Sequence, residues 1–483
     1  MKYQANWESL SQYSIPEWFR DAKFGIFIHW GPFSVPAFGG SRDNEAMGNG
    51  VWYQYWMYRP GTEQHAHHVE HWGDPGRFGY KDFVPLFTGE HFDPRAWVST
   101  FKRAGAQYVV PVADYHDGFP MFDCSYSGTW TAVHRGPRRD VVGELAQATR
   151  EAGLKFGASS HRAFNWHWYP YCYDFDTLDP DAADMYGHPH PSSEPHSEEF
   201  LENWRARTRE LVEKYDLDLI WFDFGWEYQA FDRLRPEFLA WYYNRAVEQG
   251  KEVVVQSKGE IPKHIAVLDV ERGGLAETEP EFWQTDTSVS KKTWCYDIED
   301  EYKSTKQIID QLVDVVSKNG GLLLNIGPRP DGTIPDEQLQ MLEEIGGWLS
   351  VNGEAIYGTR PWHRFGEGDA KWFDQEAQNE PRFGAFSDSD TPEMDAGLVR
   401  YTAKGSHTVY AIVMGWPEAG SVALRHLHAG SPYAPQEIEG IELLGTNEKV
   451  KWERTDRNLT IHATERPDSG YAYAFRIRFE SAR

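Results

Sequence analysis

Over its first 350 residues the chain alternates short apolar runs with longer amphipathic segments. Seven of the runs have the near-continuous apolar character of strands that are covered on both faces. Helical spacing of apolar residues, with capping residues and glycines at the ends, predicts helices between them. The predicted strands are 24–30, 108–113, 155–161, the opening of 217–226, 252–258, 267–272 and 321–327. The predicted helices are 94–104, 140–152, 198–215, 304–317 and 335–350.

Repeated strand–helix units with polar residues at the carboxyl ends of the strands are typical of a (β/α)8-like barrel, an α/β fold. Because only seven strands are recognised, one strand of this barrel is missing or irregular in the pattern. After Gly358 apolar and polar residues alternate with a period of two, which predicts an all-β sandwich. Its predicted strands are 398–403, 408–415, 421–427, 437–444, 450–462 and 471–479. The sequence therefore predicts a catalytic barrel domain over residues 1–357 and a C-terminal β-sandwich domain over residues 358–483.

Composition narrows the range of partners. The chain has 483 residues, a net charge of −26 and 15% aromatic residues. Such a charge argues against nucleic acid, whose recognition depends on Lys and Arg, and against anionic membrane surfaces. It would also repel a strongly acidic ligand. A neutral substrate fits best, and the aromatic surplus suits stacking on the C–H faces of a sugar as well as a large core.

Cysteine usage and the first residues bear on the compartment. Cys124, Cys172 and Cys295 share no short spacing, so neither a disulfide framework nor a thiolate metal site is predicted. The first 25 residues lack the apolar core of a signal peptide, and no run approaches membrane-spanning length. We therefore expect a cytoplasmic protein, unless a leader was removed.

One histidine cluster raises the question of a metal. His65, His67, His68 and His71 lie close in sequence, and the spacing of His67 and His71 would suit a helical zinc pair. No carboxylate or cysteine at a diagnostic distance completes the set, so we predict a solvated loop cluster. The Pro-rich segment 187–196 is predicted to be a mobile loop. Glycine-rich phosphate loops and Ser-His-Asp motifs are absent, and we predict neither a metal nor a cofactor.

A single carboxylate interrupts the most apolar predicted strand. Asp223 stands between Phe222 and Phe224 in LDLIWFDFGW. Carboxylates are rarely buried without a partner or a task. Asp223 could cap the following helix or pair with a structural arginine. We favour a functional acid at the carboxyl end of a barrel strand, where such folds keep their chemistry.

Histidines occupy corresponding places on three other predicted strands. His29 lies at the end of the first, His116 shortly follows the second, and His161 ends the third. Any one of them could be a core residue with satisfied hydrogen bonds. Three at strand ends favour a shared site with Asp223.

Five segments, in order, resemble the α-L-fucosidases of glycoside hydrolase family 29. They are WFRDAKFGIFIHWG (18–31), YHDGF (115–119), LIWFDFG (219–225), KNGGLLLNIGP (318–328) and WLSVNGEAIYG (348–358). The resemblance implies a (β/α)8-like catalytic domain followed by a β-sandwich. It also implies exo-acting, retaining hydrolysis of terminal α-L-fucose from oligosaccharides or glycoconjugates, with a fucosylated oligosaccharide as the substrate.

The resemblance assigns roles to individual residues. It makes Asp223 the nucleophile of a covalent fucosyl-aspartate intermediate, and His29 and His116 ligands of the sugar hydroxyls. Tyr115 stands where many members have a first histidine, and it can still donate one hydrogen bond. His161 joins the predicted pocket by its place at a strand end. The remaining predicted substrate-binding residues are Trp30, Trp221 and Arg272.

The acid/base departs from the family's pattern. Many members carry Trp-Glu where this chain has Trp-Gln, and the amide of Gln284 cannot deliver a proton. Glu271, Glu277 and Glu279 are the remaining candidates. We favour Glu271, because a strand end positions a group better than a loop does. Arg272 beside it can hold or tune its neighbour, or bind the substrate. The alternative is a non-catalytic fucose-binding relative that has lost its acid/base. The glycosidic linkage and the oligomeric state, including a homo-oligomer, stay open.

Overall fold

A computed structural model describes residues 2–41, 50–368, 388–389 and 391–480. Eight parallel strands form a closed barrel in chain order, with the last strand paired to the first. The strands are β1 (Phe24–Ile28), β2 (Tyr108–Asp114), β3 (Lys155–Ser160), β4 (Leu219–Phe222), β5 (Val254–Ser257), β6 (Val267–Glu271), β7 (Trp283–Ser288) and β8 (Gly320–Ile326). The predicted α/β class with a (β/α)8-like barrel is confirmed.

Eleven α-helices lie in the described part of the chain. They are α1 (Trp7–Leu10), α2 (Glu17–Ala22), α3 (Tyr53–Trp56), α4 (Glu63–His71), α5 (Pro94–Arg103), α6 (Val141–Glu151), α7 (Ala183–Tyr186), α8 (Glu198–Tyr215), α9 (Leu234–Glu248), α10 (Thr305–Ser317) and α11 (Asp336–Asn352). The five predicted helices match α5, α6, α8, α10 and α11 to within two residues. None of the helices in the described ranges is both long enough and apolar enough to cross a membrane.

Side-chain caps explain why the starts of the predicted helices can be recognised in the sequence. The carboxylate of Asp93 accepts hydrogen bonds from the backbone N–H groups of Arg95 and Ala96 at the start of α5. Ser304 caps α10 in the same way, with Gln307 completing a capping box. Helix α9 has no side-chain cap and buries residues around most of its circumference. The pattern therefore does not indicate it.

The strand that the pattern misses is β7. Its sequence is Trp-Gln-Thr-Asp-Thr-Ser, and all six residues are buried. Hydrogen bonds to the neighbouring strand satisfy Gln284 and Thr285. Gln284 Nε2 donates to Asp269 Oδ1 at 2.6 Å, and Thr285 Oγ1 donates to the carbonyl oxygen of Val270 at 2.6 Å. Apolar periodicity cannot identify a strand whose buried side chains are polar and paired.

The C-terminal region consists of two antiparallel sheets, and the predicted sandwich is confirmed. The strands are β9 (Arg360–Gly368), β10 (Leu398–Lys404), β11 (Thr408–Val413), β12 (Ser421–Leu424), β13 (Ile438–Leu443), β14 (Lys451–Arg454), β15 (Leu459–His462) and β16 (Tyr473–Phe479). One sheet has the order β13-β16-β11-β10-β9 and the other the order β12-β15-β14. Strand β9 is absent from the sequence prediction, and the boundary between residues 357 and 358 stays a prediction.

The five-stranded sheet has two apolar faces. In β11 alternate residues belong to the sandwich core, namely Val409, Ala411 and Val413. Their neighbours Tyr410 and Ile412 belong to the core of the barrel. Trp348 Nε1 on α11 donates to the carbonyl oxygen of Ala472 at 2.8 Å, and Arg400 Nε on β10 donates to Asp314 Oδ1 on α10 at 2.7 Å. The sheet is therefore joined to the barrel helices by both apolar packing and buried polar contacts.

Candidate active site

A pocket opens at the carboxyl ends of the barrel strands, the end at which such barrels hold their sites. Six of the predicted site residues lie in its wall, and these are His29, Tyr115, His161, Trp221, Asp223 and Glu271. His116 contacts Asp223 directly. Sequence reasoning missed the six other wall residues, which are Val51, Trp52, Phe224, Lys258, Asp286 and Trp294.

Asp223 directly follows β4 and is surrounded by donors. Its Oδ2 lies 3.0 Å from His116 Nε2 and 2.9 Å from His161 Nδ1. Its Oδ1 lies 3.5 Å from the Lys258 ammonium nitrogen. Burial acts to raise the pKa of this carboxyl group, but Lys258 and the two histidines outweigh it and hold the pKa well below its ordinary value. Asp223 is therefore a buried, ionised and oriented carboxylate.

Each of the two histidines that contact Asp223 also makes a hydrogen bond through its other ring nitrogen. Burial lowers the pKa of His161 to about 4, so its ring is neutral near pH 7. Its Nε2 lies 2.9 Å from Ser159 Oγ, which can donate to it, and its Nδ1–H then donates to Asp223. His116 Nδ1 lies 2.6 Å from the carbonyl oxygen of His161. Both ring nitrogens of His116 thus face oxygen atoms, Nδ1 the His161 carbonyl oxygen and Nε2 the Asp223 carboxylate.

His29 presents an acceptor to the pocket. Asn325 donates through Nδ2 to the Trp294 carbonyl oxygen at 2.6 Å, which leaves its Oδ1 as an acceptor. His29 Nδ1 lies 2.7 Å from that Oδ1 and must therefore carry the ring proton. Burial holds the pKa of His29 well below its ordinary value, so the ring is neutral. The free lone pair is on Nε2, where a hydroxyl group can donate to it.

Lys258 connects two carboxylates across the pocket. It follows β5, and its Nζ contacts both Asp223 Oδ1 and Glu271 Oε2. Burial acts to lower the pKa of Lys258, but Glu271, Asp286 and Asp223 raise it well above its ordinary value. Because both carboxylate oxygens contact one nitrogen, they cannot lie more than roughly 6 Å apart, compared with about 5–5.5 Å between the carboxyl groups of retaining glycosidases.

A second pair of carboxyl groups lies at the inner side of the pocket. Asp269 on β6 and Asp286 on β7 are both buried and hydrogen bond to each other, which requires a proton between them. Burial and the neighbouring Asp269 raise the pKa of Asp286 well above its ordinary value. The Tyr108 hydroxyl donates to Gln284 Oε1 at 2.7 Å, and Gln284 in turn donates to Asp269. The pair therefore holds one proton inside a fixed network.

Aromatic rings form two sides of the pocket. The rings of Trp52 and Phe224 stack with centroids 6.0 Å apart, and both rings contact His116. The ring of Trp294 lies 5.3 Å from that of His29. The sequence signal for Trp294 is its place in a Trp-Cys-Tyr segment (294–296), which follows Gln284. Trp52 carries no such signal, because the sequence pattern assigns no strand or helix to residues 31–92.

Two predicted substrate-binding residues do not reach the pocket. Trp30 packs against Phe87, Phe92 and Trp97, and its Nε1 donates to the carbonyl oxygen of Arg329 at 2.8 Å. Arg272 is fully buried, and its guanidinium donates to Asp388 and to backbone. Both predictions are corrected, because the side chain after a strand end can turn into the protein as readily as toward the pocket.

Among the acid/base candidates only Glu271 lines the pocket. Glu279 pairs with Lys263 at 3.1 Å, and Glu277 is exposed. Gln284 is buried inside the barrel between Tyr108 and Asp269 and is not a wall residue. The Gln284 amide, which the resemblance placed at the acid/base position, is thus engaged in a structural network.

Among the residues that the structure describes, one group of side chains could hold a metal ion. Ligand atoms of His116, His161 and Asp223 lie within 4.8 Å of one another. Hydrogen bonds among the three already satisfy those atoms, so the residues need no ion to complete them. The prediction of a solvated loop for the histidines of residues 65–71 is wrong, because these histidines lie on helix α4 and His68 is buried. In the described ranges they form no group that could hold a metal ion; His67 stacks on His71, and His68 binds the Phe78 carbonyl oxygen. The predicted absence of a metal stays a prediction.

Family models match both parts of the chain. The model described as alpha-L-fucosidase matches residues 1–354, and the model described as alpha-L-fucosidase C-terminal domain matches residues 393–478. The first alone spans most of the chain.

Individual relatives agree. The plasma alpha-L-fucosidase of Homo sapiens is 33% identical over 481 residues, which cover 95% of this chain and 90% of the relative. The tissue alpha-L-fucosidase of Homo sapiens is 32% identical and covers 98% of this chain and 90% of its own length. The crystal structure of Thermotoga maritima alpha-fucosidase in complex with fucose is similar with a TM-score of 0.78 and 29% identity, over 98% of this chain and 99% of that chain. The crystal structure of Thermotoga maritima alpha-fucosidase in complex with a mechanism-based inhibitor has a TM-score of 0.79 and 28% identity, over 99% of this chain and 100% of that chain.

Proposed function

The chain belongs to the α-L-fucosidase family, glycoside hydrolase family 29, and we propose that it releases terminal α-L-fucose from oligosaccharides or glycoconjugates with retention of configuration. The observation that carries the retaining mechanism is the contact of Asp223 and Glu271 with one ammonium group. An oxygen-to-oxygen separation of at most roughly 6 Å is compatible with direct attack by one carboxylate, whereas the carboxyl groups of inverting enzymes are about 6.5–9.5 Å apart to admit a water.

Asp223 is the nucleophile in this proposal. A carboxylate oxygen attacks the anomeric carbon while the bond from that carbon to the glycosidic oxygen breaks, which forms a fucosyl-aspartate ester. The low pKa of Asp223 keeps it ionised for this step. The donors on Oδ2 hold the carboxylate in one orientation without covering Oδ1.

Glu271 is the acid/base. It donates its proton to the departing glycosidic oxygen, then removes a proton from the water that attacks the ester and releases Asp223. Solvent exposure supports this division of roles, because the side chain of Glu271 is 28% exposed and that of Asp223 is 10% exposed. The nucleophile thus lies deep, while the acid lies where the aglycone leaves.

The remaining wall residues recognise the sugar. His29 Nε2 accepts a hydrogen bond from one hydroxyl, and the Tyr115 hydroxyl is available to another. Trp52, Phe224 and Trp294 provide apolar faces for the C–H groups and the methyl group of fucose. A pocket closed at its base by the barrel accepts one terminal residue, which supports exo action.

The alternative of a non-catalytic relative has no support. It rested on the missing glutamate at Gln284, and that side chain lies in the barrel network rather than in the pocket wall. Glu271 occupies the pocket instead and contacts the same ammonium as the nucleophile.

Two measurements test the mechanism. A 2-deoxy-2-fluoro-fucosyl fluoride should label the enzyme, with the added mass on the peptide that contains Asp223. Proton NMR during hydrolysis of an aryl α-L-fucoside should show α-L-fucose as the first product. A first product of β configuration, without a covalent adduct, would overturn retention; a label on Glu271 would reassign the nucleophile.

A further inference from the structure

The backbone next to Glu271 is strained. Arg272 follows the end of β6 and has a φ of +46°, in the left-handed region that bulky side chains rarely adopt. Its backbone N–H donates to the Asp286 carbonyl oxygen at 2.8 Å, across to β7. Such a conformation persists only where the surroundings hold it, and strained residues of this kind cluster at functional sites.

The side chain of Arg272 is held at three points. Its Nε donates to Asp388 Oδ1 at 3.1 Å, and its Nη2 donates to the Ser290 carbonyl oxygen at 2.8 Å and to Ser389 Oγ at 3.3 Å. The guanidinium carbon lies 5.3 Å from the ring centre of Trp294, which is a wall residue of the pocket. Arg272 therefore touches two parts of the site, Glu271 through the backbone and Trp294 through the ring.

Asp388 comes from a distant part of the chain. It follows β9, the first strand of the antiparallel sheets, and lies 116 residues after Arg272. Besides Arg272 it accepts hydrogen bonds from Lys303 Nζ at 2.7 Å and from Thr287 on β7. It is buried, and although burial acts to raise its pKa, Lys303 and Arg272 hold that pKa well below its ordinary value. An ionised aspartate is thus paired with Arg272 and with Lys303, whose own pKa burial lowers to about 7, beside the catalytic end of the barrel.

We propose that Asp388 is a positioning residue, which fixes Arg272 and thereby holds Glu271 and Trp294 in the geometry that proton transfer to the leaving group requires. The proposal rests on the assignment of Glu271 as the acid/base. It gives the region beyond β9 a part in the reaction: one carboxylate from outside the barrel strands completes the support of the acid/base.

The test uses the full-length enzyme and the variant Asp388→Asn, which keeps the shape of the side chain and removes its charge. On a fucosyl-oligosaccharide kcat should fall by about 10–100-fold, and on an activated aryl fucoside by less than about 5-fold, because only the poor leaving group needs the proton. The alkaline limb of the pH profile should move as well. Rates are normalised to active sites titrated with the fluorinated fucosyl fluoride, so that unfolded protein does not contribute.

Asp314→Asn is the matched control. Asp314 also pairs with one arginine and one lysine, Arg400 at 2.7 Å and Lys318 at 2.9 Å, and it also joins the barrel to the antiparallel sheets. It does not line the pocket. If Asp388 were only a structural anchor, both variants would lower the melting temperature and reduce the two activities by the same factor. Equal factors for the two substrates in Asp388→Asn would overturn the proposal.

Two further variants separate the possible failures. Ser389→Ala removes the hydrogen bond that Arg272 donates to Ser389 Oγ and the one that Ser389 Oγ donates to the Lys291 carbonyl oxygen, without changing charge. It should reproduce the leaving-group dependence to a smaller degree even where Asp388→Asn folds poorly. Glu271→Ala run on the same substrates tests the underlying assignment. If Glu271→Ala shows leaving-group dependence and the Asp388 and Ser389 variants do not, the positioning role is rejected and the acid/base assignment stands. If Glu271→Ala shows no leaving-group dependence, both the acid/base assignment and the positioning role are rejected.

Discussion

The residues at this pocket owe their chemistry to the groups behind them. Asp223 is ionised although it is buried, because two histidines and one ammonium outweigh the cost of burial. His29 is an acceptor because Asn325 takes its proton-bearing nitrogen. Neither state follows from the residue type, since a buried aspartate without those donors would be neutral. For each site residue, the hydrogen bonds that it already makes within the protein determine which donor or acceptor it can offer to a substrate.

Asp223→Ala should lower turnover by roughly 10³-fold or more, because the variant lacks a nucleophile. Added azide should restore part of the activity by entering the space of the carboxylate, and the product should be β-L-fucosyl azide, of inverted configuration. Glu271→Ala is the control: azide there attacks the fucosyl-enzyme and should give the α anomer. NMR of the two azides distinguishes these cases, and near-normal hydrolysis by Asp223→Ala would contradict the assignment.

Glu271→Ala should cause a severe loss of kcat on natural glycans and a milder loss on an activated aryl fucoside, since a good leaving group needs little protonation. Its pH profile should also lose the alkaline limb, which reports deprotonation of the acid. Glu277→Ala and Glu279→Ala provide the comparison, because Glu277 is exposed and Glu279 pairs with Lys263. Steady-state kinetics on both substrates identify the proton donor. Leaving-group dependence in Glu277→Ala or Glu279→Ala would assign that role to the mutated residue instead of Glu271.

At the scale of single elements, the neighbouring strands β6 and β7 supply most of the unusual chemistry. The register places Glu271 beside Asp286 and Asp269 beside Gln284. Side chains two residues apart on a strand share a face, so four polar groups meet on one side of this strand pair. The strand that apolar periodicity could not identify is therefore also one that carries the buried proton of the Asp269–Asp286 pair.

That proton gives a pH dependence to stability. The folded-state pKa of Asp286 is raised, so its contribution to stability is present below the ordinary carboxyl pKa of about 3.9 and is lost as pH rises toward the folded-state pKa. Asp286→Asn replaces the proton by an amide N–H that still donates to Asp269. Relative to wild type, the variant should therefore gain stability above about pH 4, by up to about 1.4 kcal/mol per pH unit.

Urea unfolding of both proteins between pH 4 and 8 measures this difference. Asp117, Asp300 and Asp310, whose burial raises the pKa to about 7, titrate in both proteins and cancel when the two free energies are subtracted. Asp286→Ala, which has no donor for Asp269, should be less stable than the Asn variant throughout. Parallel stability curves for wild type and Asp286→Asn would show that the carboxyl pair holds no proton in this range.

For the molecule as a whole, the large negative charge should act on substrate choice. With a net charge of −26, fucosylated substrates that carry sulfate or carboxylate should have a lower kcat/KM than neutral ones at low salt. Raising the ionic strength from 10 to 150 mM shortens the screening length from about 30 to about 8 Å and should narrow the gap several-fold. The neutral substrate is the internal control, and a ratio that does not respond to salt would point to discrimination by direct contacts in the pocket.

The sequence by itself determined the architecture and the outline of the site. Apolar runs, caps and period-two alternation predicted seven of the eight barrel strands, five helices and the sandwich, because burial and helix ends leave local signatures. Strand-end position and family resemblance together identified Asp223, the histidines and Glu271 as site candidates.

Only the tertiary structure decided which neighbours those residues have. Lys258 lies 35 residues from Asp223 in the chain and Asp388 lies 116 from Arg272, yet both pairs are in contact. Trp30 and Arg272 sit at strand ends and still turn away from the pocket. Protonation and orientation depend on contacts between distant segments, and no local pattern encodes them. The sequence therefore indicates where the chemistry lies, whereas contacts made in the packed barrel set the protonation and orientation of each group.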